Sequence, residues 1–162
     1  MSTTTEIDIR EIERFVFQEA RYADEHDYDA WEALWTDDAT YWVPVDGEGG
    51  DPLTTMSIIF DNRNRITTRL NQLRTGKRYS QAPRSTLRRI VGNVELLGST
   101  DNGDLVVGAN FILLESRESK NETLGGRCTY HLRPSGEGFK LAHKKVVLVG
   151  NDKPVTSVGF IL

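Results

Sequence analysis

Residues 86–97, TLRRIVGNVELL, begin the part of the chain whose reading decides the fold. Three comparable stretches follow: DLVVGANFILL at 104–114, ETLGGRCTYHLR at 122–133 and FKLAHKKVVLV at 139–149. Here the hydrophobic pattern changes from helical to extended. The connections at 98–103, 115–121 and 134–138 are short and polar, which favours antiparallel hairpins.

Upstream of this meander the period is helical. Residues 7–25 predict an amphipathic helix with Ile12, Phe15, Val16, Ala23 and His26 on one face, and Arg14, Gln18, Arg21 and Glu25 on the other. Glu19 falls in the middle of the apolar stripe. Tyr28 to Trp35 predicts a short second helix with Trp31, Leu34 and Trp35 on its buried side. Ala39 to Val45 predicts a strand that Pro44 holds at an edge. After a glycine-rich loop at 46–52, Ile58 to Arg74 predicts a helix with Ile66, Leu70 and Leu73 on one side, stopped at Thr75-Gly76. The segment 77–85, with Pro83, predicts another loop. Helices first and a long meander second give an α+β domain, 1–162, in which a curved antiparallel sheet wraps the first helix and buries both apolar surfaces.

The 162 residues suit one core, and no run of apolar residues is long enough for a membrane span. The start of the chain lacks a secretory pattern and Cys128 has no cysteine to pair with, so a cytoplasmic setting is expected. Charge is polarised. Residues 1–51 hold fifteen acids and three bases, whereas 61–90 hold nine bases and one acid, Asp61. These regions can pair with each other or steer a partner. Nucleic acid is not expected, because aromatics do not interleave with the bases.

Three groups of residues carry a resemblance. The first is Gln18-Glu19-Ala20-Arg21-Tyr22-Ala23-Asp24 with Tyr28-Asp29-Ala30-Trp31 and Asp37-Asp38-Ala39-Thr40-Tyr41-Trp42-Val43-Pro44. The second is Ile58 to Arg63 with Arg69 to Gly76. The third is Lys144 to Leu148 with Asn151-Asp152 and an apolar tail. In order and spacing they resemble the β (small) subunits of Rieske-type aromatic-ring-hydroxylating dioxygenases. The resemblance implies the cone-shaped fold of ketosteroid isomerase, scytalone dehydratase and nuclear transport factor proteins. It also implies a larger α subunit as partner, in assemblies of three α and three β chains. The α chain would carry a Rieske [2Fe-2S] cluster and a mononuclear iron, with electrons from NAD(P)H arriving through a separate reductase.

The residue inventory agrees that this chain holds neither metal. A Rieske centre takes two cysteines and two histidines, and only Cys128 is present. His26, His131 and His143 are too scattered for a non-haem iron triad. Cys128, in phase with Leu124, Gly126, Tyr130 and Leu132, reads as a small buried hydrophobe. His143, in phase with Phe139 and Leu141, is expected to point inward. Glu19 is expected to be buried in an ion pair with Arg88 or Arg127. The chain is thus read as a non-catalytic subunit. The alternatives are a stand-alone cone-fold enzyme using Glu19 and His143, or a small apolar-ligand module. Arg63, Arg69, Arg74 and the tail residues Val158, Phe160, Ile161 and Leu162 are the expected subunit-interface residues, since opposite charge favours pairing of unlike faces.

Overall fold

Asp8 starts the first helix by accepting the backbone N–H of Arg10, leaving the apolar stripe of α1 (Ile9–Asp24) to face inward. Asp27 caps α2 (Tyr28–Ala33) in the same way. The chain then enters β1 (Trp35–Pro44) and β2 (Ser57–Asn62), followed by α3 (Arg63–Arg74) and the meander β3 (Thr86–Ser99), β4 (Leu105–Arg117), β5 (Lys120–Ser135) and β6 (Gly138–Leu148). This computed structural model describes residues 6–45, 47–75, 85–150 and 159–162. Gly76, residues 77–84 of the expected loop and Val158 lie outside the described residues.

The six strands form one sheet in the order β2-β1-β6-β5-β4-β3. The meander pairs are antiparallel, as their short connections require. β1 runs parallel to β6, so the sheet is mixed at one seam. That seam joins the two ends of the chain's folding unit and has no hairpin to impose antiparallel direction. α1 packs on both β3 and β6, which lie on opposite sides of the sheet centre. The sheet therefore curves around the helices, with the core on its concave face.

Three expectations change. Trp35, expected on the second helix, instead opens β1, since α2 ends at Ala33. The segment from Ile58 was expected to be helical, but its first residues form β2, and α3 begins only where the Asn62 side chain caps Arg65 N–H. The run Ile58-Ile59-Phe60 is short, branched and aromatic, and it pairs with β1 rather than joining the helix. β1 in turn is flanked on both sides, so Pro44 does not mark an edge strand. It sits where the β1–β2 register shifts, beyond Trp42, the last residue of β1 paired with β6.

The inward rows are Val107, Ala109, Phe111 and Leu113 on β4, then Cys128, Tyr130 and Leu132 on β5. They close on Ile12, Val16 and Ala23 of α1, Trp31 of α2, and Ile66, Leu70 and Leu73 of α3. Gly126 is required at its place. A Cβ there would lie within 3.0 Å of the Phe111 ring and collide with the Val147 carbonyl oxygen. Among the described residues no helix is long and apolar enough to cross a membrane.

Candidate functional site

The polar centre of the cone grows from one bulge. β5 and β6 pair Leu132 with Leu141 and then His131 with His143, which leaves Ala142 without a partner. One extra residue reverses the alternation of everything after it. Lys144, Val146 and Leu148 therefore point inward, and His143 points outward. The expected inward phase of His143 holds only as far as Leu141.

The reversal brings Lys144 to Glu19. The ammonium lies 2.5 Å from Glu19 Oε1, with the two side chains 2% and 1% exposed. Trp31 Nε1 donates to the other Glu19 oxygen at 3.2 Å. Glu19 is thus paired in the core, but with Lys144 and not with Arg88 or Arg127. Arg88 is exposed on the outer face of β3, and Arg127 lies over Gly108 on the outside of the sheet, donating to Asn110. The arginine that does enter the core is Arg89, whose Nε lies 2.7 Å from Asp24 Oδ1 and whose backbone N–H donates to Asp24 Oδ2.

The last described residues close this centre. Phe160, Ile161 and Leu162 are buried. Lys144 donates to the Leu162 backbone oxygen at 2.5 Å, Tyr41 OH donates to the same oxygen at 3.3 Å, and Leu162 N–H donates back to Tyr41 OH at 3.1 Å. Arg89 donates to the Ile161 carbonyl at 2.8 Å. Burial pushes the Tyr41 hydroxyl above its ordinary range, and likewise the Cys128 thiol, so neither is an activated nucleophile near neutral pH. Glu19 and His143, the two groups an acid–base pocket would need, are not brought together. One is tied to Lys144 and the other faces out.

On the outer face His143 stacks beside His131, with ring centroids 4.6 Å apart. Burial, then the neighbouring His131 and Lys145, hold His143 down at about 4. His26 lies beyond the end of α1 in left-handed backbone, bonded to Ser85 carbonyl and Tyr28. Among the described residues no group of three or more His, Cys, Asp or Glu side chains could hold a metal ion. The structure brings His131 and His143 together, but a single cysteine cannot supply the two that a Rieske centre takes.

Part of the polarised charge pairs inside the chain. Glu32 of α2 accepts from Arg63, Thr67 and Arg74 of α3, and Asp29 also accepts from Arg74. Burial raises the Glu32 carboxyl, but these bonds outweigh it and hold the group at about 2. Arg69 closes on Asp61 at 2.6 Å. Arg63, Arg69 and Arg74 thus have partners in their own chain, and the buried tail residues offer no surface in the single subunit. An exposed apolar face lies elsewhere. Ile90 of β3 and Ile112 of β4 pair across the strands at 76% and 57% exposure, with Leu114 beside them.

Lys144 escaped the sequence reading because it was masked by the Lys144-Lys145 doublet. Parity gave no signal, since Val147 and Val149 continue the odd phase of Phe139 and Leu141 while Val146 and Leu148 fit the even one. Arg89 was legible, being in phase with the buried Leu87.

Comparison with known families gives the decisive observation: the family described as "Ring hydroxylating beta subunit" matches residues 18–152. The chain belongs to this family. It is similar to the anthranilate 1,2-dioxygenase small subunit of Acinetobacter baylyi, with 28% identity covering 88% of this chain and 89% of that one. The crystal structure of the benzoate 1,2-dioxygenase β subunit of Burkholderia mallei superposes with a TM-score of 0.78 at 26% identity, covering 98% of this chain and all of the other. A protein assigned as a scytalone dehydratase, from Novosphingobium aromaticivorans, shares the fold alone, with a TM-score of 0.65 at 14% identity over 92% of this chain and 89% of that one. As a ring-hydroxylating β subunit, this chain is a structural component of an oxygenase complex that includes an α subunit. A stand-alone enzyme and a stand-alone ligand module are not favoured as readings of the chain.

Proposed function

We propose that residues 1–162 form one domain that assembles as three copies with three α chains, and that the complex dihydroxylates an aromatic acid in the cytoplasm. The family match along 18–152 carries this reading. The aromatic-acid class follows from relatives named for anthranilate, 2-halobenzoate and benzoate. In this reading the α chain supplies a Rieske cluster and a mononuclear iron, which deliver electrons and activate dioxygen, and a reductase draws on NAD(P)H. This chain contributes no reacting group. Its Glu19 is neutralised by Lys144 in the core, and its fold holds the α chains in place.

The exposed pair Ile90 and Ile112 is the apolar surface suited to partner contact. Charge reversal at Arg63, Arg69 and Arg74 would break pairs within the subunit, so the assembly test belongs on the isoleucines. Ile90→Lys with Ile112→Glu should leave a folded subunit that retains α chains poorly, measured by light scattering of the co-expressed proteins. Complete complexes from that variant would exclude this face. The subunit purified alone should be colourless and inactive, and stoichiometric iron in it by metal analysis would overturn the non-catalytic assignment.

A further inference from the structure

We propose that the interior of the cone is a binding site for small apolar acyl compounds, and that residues Phe160–Leu162 occupy it as an internal ligand. The site has a polar end and an apolar wall. At the polar end, Lys144 Nζ and Tyr41 OH converge on one oxygen, that of Leu162, and Arg89 holds the carbonyl before it. Such convergence of buried donors on a single acceptor is how a pocket fixes the head of a ligand. Tyr41 is also part of the wall, its ring 5.7 Å from Trp31 and 5.8 Å from Trp35. Trp35 keeps a buried indole N–H with no acceptor among the described residues, a donor open to a ligand oxygen.

Glu19 explains why the donors hold an acceptor and do no chemistry. It neutralises Lys144 at 2.5 Å, leaving the ammonium as a hydrogen-bond donor with no free base beside it. The ligand class is therefore an apolar body ending in a single oxygen acceptor, either a neutral carbonyl or a carboxylate. Phe160, Ile161 and Leu162 are such a body, delivered by the chain itself. Because the tail is tethered, it competes at an effective concentration on the order of millimolar, and a free ligand gains access mainly when the tail is weakened. This site adds to the structural role and does not depend on it.

The test uses the full-length chain with Phe160→Ser and Ile161→Ser, and reads Trp31 and Trp35 by fluorescence. The probes are N-acetyl-Phe-Ile-Leu as the free acid and as the amide. At least one probe should bind this variant, and at least tenfold more tightly than it binds the unaltered chain. Adding Tyr41→Phe, which removes one donor while keeping the wall, should weaken binding at least fivefold. The ratio of acid to amide identifies which form of oxygen the donors prefer. Should the double variant fail to fold, Leu162→Ala alone carries the same comparison. Absence of binding by both probes at millimolar concentration overturns the proposal, as does binding that Tyr41→Phe leaves unchanged.

Discussion

Lys144→Met tests whether the buried pair is the polar keystone of the core. Methionine roughly preserves volume but leaves Glu19 with only the Trp31 N–H, at 3.2 Å, and at 1% exposure water does not replace the ammonium. A buried carboxylate stripped of its partner costs about 3–5 kcal/mol. Urea unfolding at pH 7, followed by tryptophan fluorescence, measures the difference from the unaltered chain. With an m-value of about 2 kcal/mol/M the midpoint should fall by about 2 M. Combining Lys144→Met with Glu19→Gln should recover most of the loss, because the uncompensated charge is gone. A loss below about 1 kcal/mol at pH 7, or one that Glu19→Gln does not recover, would refute the reasoning.

Two further outcomes are expected. Arg89→Met leaves Asp24 with only a backbone N–H and should lower stability by about 3 kcal/mol, a fall of roughly 10 °C in Tm by calorimetry; no change would mean that Asp24 is hydrated. His143, held at about 4 against an ordinary 6.5, is neutral in the folded chain where the unfolded chain is protonated, so stability should be lost as pH falls from 6.5 towards 4, and His143→Gln should flatten that slope in urea titrations.

Much of the molecule was legible in the chain itself. Alternation in 122–133 placed Cys128 inside with Tyr130 and Leu132, because a hairpin with a two-residue period has one register that buries its apolar face. The helical stripe of α1 placed Glu19 in the core, and the order of short motifs pointed to the family that matches residues 18–152. The sequence does not state which cation meets Glu19. That depends on Ala142, a single unpaired residue in β6, which turns Lys144 inward and His143 outward, and a bulge is set by pairing with the neighbouring strand. The parallel seam between β1 and β6, the closing of Arg63 and Arg74 on Glu32, and the burial of Phe160–Leu162 over Tyr41 and Lys144 were also decided only in three dimensions. Each joins residues from 18 to 121 positions apart, where local propensity carries no information and the packed core selects the partner.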